Sequence, residues 1–241
     1  MWSGLAFCPA YRRRVTPGGR RGARFGRVDA RELNDLRREY AAGGLVEEAL
    51  EADPVSMFRR WLHDAVTAGF HEPNAFVLST VSGDGAPGSR IVLLKRLDER
   101  GFVFFTNYRS RKGRELATQD RCALLFPWHV LERQVRVEGA AVPLPEAEND
   151  AYFATRPRAS QLGAWASPQS EVVADRAELD RRYAHVAARF GEGEIPRPGD
   201  WGGYCVSPEL VEFWQGRLGR MHDRLRYRRT DGGWLTERLA P

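Results

Sequence analysis

Lysine is nearly absent from this 241-residue chain: of 37 cationic residues only Lys95 and Lys112 are lysines, and the other 35 are arginines. A G+C-rich genome produces such a bias, so the two lysines kept against it are worth locating. Cysteine is scarce too. Cys8, Cys122 and Cys205 are odd in number, widely spaced and without a C-x-x-C, which argues against a disulfide framework and a cysteine zinc site. A reducing compartment fits, and the expected location is cytoplasmic. The longest apolar run, Cys122 to Trp128, is seven residues, against roughly 20 for a membrane-spanning helix, so no membrane partner is expected. His63, His71, His129, His185 and His222 show no metal-ligand spacing, and no metal is expected. No G-x-S-x-G and no Cys-His pairing points to covalent catalysis.

Acidic residues are missing from Met1 to Val28, a stretch with seven arginines. Its apolar opening precedes Arg12, Arg13 and Arg14, the reverse of a signal peptide. The composition partly resembles an organellar transit peptide, but Pro17, Gly18 and Gly19 interrupt any amphipathic helix. We read residues 1–30 as a basic, flexible extension and residues 31–241 as a single domain. The net charge of +5, less those seven arginines, leaves −2 for the remainder. The basicity that would suggest nucleic acid therefore belongs to the tail, and no nucleic-acid partner is expected.

Hydrophobic residues make up 42% of the chain, ample for a core. Leu33 to Ala42 reads as a short helix ended by Gly43 and Gly44. A second helix begins with Asp53 as N-cap and Pro54 at its first position, and Phe58, Trp61, Leu62 and Ala65 give it one buried face. Strands are predicted over Phe76 to Ser82, Arg90 to Arg96, Phe102 to Asn107, Cys122 to Trp128 and Gln134 to Val142. Gly83-Asp84-Gly85 and Asp98 to Gly101 are short enough to make antiparallel hairpins. Ser110 can cap a short helix through Thr118, and helical patterns return at Pro145 to Thr155 and Asp175 to Phe190. Gly203 to Ser207, Val211 to Gln215, Arg224 to Arg229 and Trp234 to Leu239 are again strand-like. The fold class is mainly antiparallel β with peripheral helices (α+β), a β-barrel with attached helices.

Gly83 to Gly88 satisfies G-x-G-x-x-G, but a strand follows it instead of a helix, so it reads as a hairpin and not a dinucleotide fingerprint. Ser110-Arg111-Lys112 puts two cations against the positive end of a helix dipole, a cost that a bound phosphate would reverse; a solvated basic turn is the alternative. Arg90 and Lys95 fall on opposite faces of a regular strand, and serve one ligand only across a bulge or if Lys95 lies beyond the strand end. Arg217, Arg220, Arg224, Arg226, Arg228 and Arg229 crowd together near Trp214, His222 and Tyr227. They read as a phosphate site, a nucleic-acid stripe, or a charged edge strand, which composition favours.

Taken together, the ordered motifs resemble the pyridoxine/pyridoxamine 5′-phosphate oxidases. The resemblance runs from about Leu36 to Pro241 through Arg37-Arg38-Glu39-Tyr40, Arg90-Ile91-Val92-Leu93-Leu94-Lys95, Ser110-Arg111-Lys112, Leu124 to His129, Leu131 to Gln134, Arg156-Pro157-Arg158-x-Ser160-Gln161, Trp165 to Ser170, Phe213-Trp214-Gln215 and Arg220-Met221-His222-Asp223-Arg224. It implies an FMN-binding split β-barrel working as a homodimer, with FMN between subunits. It implies that Arg90 to Lys95, Phe105, Thr106, Arg111, Lys112, Gln134, Gln169, Ser170, Trp214 and Arg224 surround FMN. Lys95, Tyr152, Arg156 and Ser160 would hold the phosphate of a small pyridine substrate. Arg220, Met221 and His222 would lie at its ring, with Arg220 and His222 in the catalytic roles, and Arg37 to Tyr40 would form a mobile cover. The implied reaction oxidises pyridoxine or pyridoxamine 5′-phosphate to pyridoxal 5′-phosphate, with hydride passing to flavin N5 and O2 reduced to hydrogen peroxide. Phe105 in place of a common Tyr, Glu72 in place of Asp, and Arg217-Leu218-Gly219 depart from the pattern. The alternatives are a related FMN oxidase acting on a phenazine-type substrate and, in another class, an Arg-rich nucleic-acid-binding module.

Overall fold

The computed structural model describes Tyr40 and residues 43–241, which belong to one compact unit. The expected extension over residues 1–30, most of the expected helix over Leu33 to Ala42, and Arg37, Arg38 and Glu39 lie outside the described residues.

Asp53 caps α1 (Pro54–Thr67) by accepting from the Val55 and Ser56 amides, both at 2.9 Å. The helix buries Met57, Phe58, Trp61 and Ala65. Phe58 meets Phe102, Phe126 and Trp128, and Trp61 meets Phe213, with centroids 4.7 to 5.5 Å apart. Full burial of each such ring stabilises the fold by roughly 1.5 to 3 kcal/mol, and this packing fixes α1 against the sheet.

Nine strands follow: β1 (Ala75–Val81), β2 (Pro87–Leu93), β3 (Arg96–Asp98), β4 (Gly101–Asn107), β5 (Arg121–Trp128), β6 (Arg133–Pro143), β7 (Trp201–Gln215), β8 (Asp223–Thr230) and β9 (Gly233–Arg238). Their order is β2-β1-β5-β6-β7-β4-β3, with β8 and β9 branching from β7, and every pairing is antiparallel. Among the described residues five α-helices accompany them: α1, α2 (Arg111–Thr118), α3 (Glu146–Ala154), α4 (Arg158–Ala166) and α5 (Arg176–Phe190).

The strand expected over Arg90 to Arg96 is two strands. β2 stops at Leu93, and the chain changes partners: the Leu94 amide donates to Asn74 O, beside β1, and the Lys95 amide to Val103 O of β4. The two ends of the sheet order are thus joined through one corner, which curls the sheet into a split barrel. Leu94 turns into the core at 6% exposure.

The segments Gly203 to Ser207 and Val211 to Gln215 are instead one strand of 15 residues. Pro208 would break a regular ladder, but the register against β6 shifts between Glu138 and Gly139, so an extra residue on β7 is absorbed by a bulge. Helix α4 was not anticipated, because no side chain caps it and only Leu162 and Ala166 are buried. β8 is not an edge strand: β7 and β9 flank it, and Arg224, Arg226 and Arg228 pair with Glu212, Glu237 and Glu237. Paired cations make a poor nucleic-acid stripe, which argues against the C-terminal cluster's part in that alternative. No helix among the described residues is long and apolar enough to cross a membrane.

Candidate functional site

Ser110 sets the first anchor. Its hydroxyl donates to Asn107 O at 2.7 Å and accepts from the Gly113 amide at 3.3 Å, starting α2 where β4 ends. The next two residues are the cations Arg111 and Lys112. Lys112 is 7% exposed, and its Nζ lies 3.0 Å from Thr106 Oγ1, 3.3 Å from Ser110 Oγ and 3.4 Å from Gln169 Oε1. All three partners are neutral. Burial, with the positive Arg90 nearby, lowers the Lys112 ammonium to about 8.

The neighbouring guanidiniums are held differently. Arg111 Nε donates to Glu115 Oε1 at 2.7 Å, and Arg90 Nη2 to Glu115 Oε2 at 3.2 Å. Arg90 also reaches the Thr80 hydroxyl, which itself donates to Glu115. Burial pushes the Glu115 carboxyl up, but hydrogen bonds from Thr80 and Arg111 and the charge of Arg90 outweigh it and leave the group below its ordinary range. Glu115 was not singled out from the sequence, although its i, i+4 spacing from Arg111 was legible.

These groups open onto a cavity of about 870 Å³ lined by Arg90, Ile91, Val92, Leu93, Lys95, Phe105, Thr106, Arg111, Lys112, Tyr152, Arg156, Ser160, Gln169 and Ser170. Lys95 faces it together with Arg90 because Lys95 lies beyond the end of β2. Leu94 is the member of the 90–95 run that does not, since it packs into the core. Trp201, which sequence reasoning passed over, lines the wall. Its ring is nearly parallel to those of Phe105 and Tyr152, with interplanar angles of 10° and 2°. Arg156 lies 4.4 Å over it, with Nη1 buried and without a hydrogen-bond partner.

A second group stands apart from this cavity. Gln134 pairs with Trp214 and Trp214 with Arg224 in the β6, β7, β8 register, so the three form one cross-strand row. Arg224 Nε donates to Glu212 Oε1 at 2.7 Å. His222 lies 4.7 Å and Tyr40 5.7 Å from the Trp214 ring, centroid to centroid. Arg220 and His222 do not share an extended face. Leu218–Arg220 forms a 3₁₀ turn in which Gly219 and Arg220 adopt φ of 62° and 61°, and β8 starts only at Asp223. Arg220 and Met221 are exposed. Gln134, Trp214, Arg220, Met221, His222 and Arg224 are absent from the cavity lining.

An antiparallel split barrel whose cavity is lined by five cations, with Lys112 buried and Arg90 and Arg156 half-buried, defines a split-barrel protein equipped for anionic ligands. Residues 62–190 match the family described as "Pyridoxamine 5'-phosphate oxidase", and residues 201–241 match "Pyridoxine 5'-phosphate oxidase C-terminal dimerisation region". The chain belongs to the pyridoxine/pyridoxamine 5′-phosphate oxidase family, and its matched dimerisation region supports a homodimer. A protein of Nocardioides sp. named pyridoxine/pyridoxamine 5′-phosphate oxidase is 63% identical over 210 residues, 87% of this chain and 98% of that protein. One of Rubrobacter xylanophilus with the same name is 57% identical, over 88% and 97%. Among solved structures, PhzG from Burkholderia lata in complex with tetrahydrophenazine-1-carboxylic acid superposes with a TM-score of 0.78 at 35% identity, covering 83% of this chain and 99% of that one. An FMN-binding protein of Nostoc punctiforme shares the fold, with a TM-score of 0.63 at 16% identity over 80% of this chain and all of that one.

Proposed function

We propose that this chain is an FMN-dependent oxidase that converts pyridoxine 5′-phosphate and pyridoxamine 5′-phosphate to pyridoxal 5′-phosphate. The observation that carries this reading is one cavity with two sets of anion-seeking side chains on different elements. Arg90, Arg111 and Lys112 make one set, and Lys95, Tyr152, Arg156 and Ser160 the other. A flavin mononucleotide and a phosphorylated pyridine each bring one phosphate, and cations clustered on a cavity wall with few acidic partners suit dianions.

Lys112 and Arg111 would hold the FMN phosphate at the start of α2, with Glu115 keeping Arg90 and Arg111 in place. Arg156 would take the substrate phosphate through donors that nothing else in the described chain occupies. Bound FMN supplies the two-electron acceptor for oxidation at C4′, with O2 as the terminal oxidant. His222 Nδ1 accepts from the Arg217 amide at 3.1 Å, so the neutral ring carries its proton on Nε2 and serves as a donor to substrate. That the Gln134, Trp214, Arg224 row does not line the cavity supports a site completed across the homodimer. Gln134, Trp214, Arg220, His222 and Arg224 would come from the second copy.

A phenazine-type substrate is the weaker reading, because the relatives named for vitamin B6 chemistry reach 63% identity against 35% for PhzG. The test is the visible spectrum of the purified protein, followed by an oxygen-consumption assay of the FMN-loaded enzyme. The expected result is bound flavin and formation of pyridoxal 5′-phosphate from both phosphorylated substrates. Flavin-loaded protein that oxidises neither would refute the assignment.

A further inference from the structure

Trp201 opens β7 and is fixed from behind. Its amide donates to Pro198 O at 3.0 Å, its carbonyl accepts from Arg197 Nη1 at 2.8 Å, and its indole is 6% exposed over a cluster that includes Phe153, Leu162 and Ile195. In front of this anchored ring stand Phe105, Tyr152 and Arg156. Phe105 stacks on Tyr152 with centroids 3.8 Å apart, and both rings are nearly parallel to the indole. The Arg156 guanidinium has no ion pair or hydrogen bond among the described residues. Ring faces alone hold it, Trp201 at 4.4 Å and Phe153 at 5.5 Å.

The contrast with Arg90 and Arg111 is informative. Those two are held by Glu115, whose charge offsets part of theirs and occupies some of their N–H groups. An aromatic face orients a guanidinium without doing either. It leaves the planar fork free for an incoming anion.

We propose that Trp201 is a positioning residue for substrate: its indole sets the Arg156 guanidinium, and through the Phe105–Tyr152 stack the Tyr152 hydroxyl, where they meet the substrate phosphate. This rests on the reading that Arg156 and Tyr152 hold that phosphate.

The experiment is a double-mutant cycle on the FMN-loaded enzyme with Trp201→Phe, Arg156→Ala and the pair. It reads KM and kcat for pyridoxamine 5′-phosphate, Ki for inorganic phosphate as a competitor, and flavin content. Trp201→Phe keeps a ring but weakens the cation–π contact, so KM and Ki should each rise about three- to tenfold, with kcat and flavin content within twofold. Once Arg156 is Ala, the further change at Trp201 should matter less than twofold, because the group it positions is gone. Trp201→Tyr serves as a second variant should the Phe variant lose its cooperative thermal transition. An unchanged KM in a folded Trp201 variant, or an equal rise in the Arg156→Ala background, overturns the proposal. If Arg156→Ala alone leaves KM and Ki unchanged, the phosphate assignment beneath it fails instead.

Discussion

The Lys112 ammonium stands 3.0 Å from Thr106 Oγ1 with no carboxylate in ion-pair reach among the described residues, and burial lowers its pKa to about 8. In the unliganded protein, charging this lysine costs stability. The folded form binds its proton more weakly than the unfolded chain, where the reference value is about 10.4, so stability rises with pH between about 8 and 10.4. Binding a phosphate dianion reverses the preference by favouring the charged form. FMN affinity should therefore fall as pH rises above about 8, by up to roughly tenfold per unit. Fluorescence titration of FMN from pH 6.5 to 9.5 checks this, and Lys112→Met should bind weakly with a flat profile. Arg111→Ala with Lys112→Ala should lose flavin altogether; full occupancy in that double variant would contradict the FMN phosphate assignment.

Arg220 combines exposure with a left-handed backbone, φ 61°, which costs a non-glycine residue on the order of 1 kcal/mol. Arg220→Ala should retain FMN while kcat/KM falls by about 1 to 3 kcal/mol, the scale of a lost charge-assisted contact. Arg220→Lys should rescue poorly, because an ammonium lacks the planar fork. Arg220→Gly should be equally impaired yet melt no lower than the parent, since glycine accepts the backbone angle. A lower melting temperature in Arg220→Gly would show that the side chain serves stability.

If each site takes its cavity from one copy and Arg220 from the other, two impaired variants should rescue each other. Mixing the Arg111→Ala, Lys112→Ala protein with Arg220→Ala and allowing subunit exchange should restore activity through the hybrid dimer, which carries one intact site. Light scattering on the same samples should report dimers. No recovery despite demonstrated exchange would place the whole site within one chain.

Gly101 ends the tight turn between β3 and β4 at φ 138°, and a Cβ there would meet Val206 O at 2.0 Å. Gly101→Ala must either strain the turn or push β7 away, at a cost of about 1 to 3 kcal/mol. A melting temperature several degrees lower is expected by calorimetry. An unchanged melting temperature would mean that the hairpin relaxes freely.

Much of this was written in short stretches of sequence. Asp53 and Ser110 cap the helices they were expected to cap, because an N-cap contact reaches only two or three residues along the chain. The hairpins at Gly83 to Gly85 and Asp98 to Gly101 follow from turn residues between alternating runs, and the order of motifs was enough to suggest the family. What lay beyond the sequence depends on partners far along the chain. The break after Leu93 arises where the strand exchanges Asn74 for Val103. Glu209 becomes a bulge residue within β7 because β6 fixes the register on either side. The C-terminal arginines look like a free basic patch in sequence, yet three of them form ion pairs with two carboxylates, Glu212 and Glu237, across neighbouring strands. Arg156 found an indole 45 residues later, and the Trp214 row was set apart from the cavity. Near-neighbour rules are local, whereas cross-strand register and ring stacking are set only when the barrel closes.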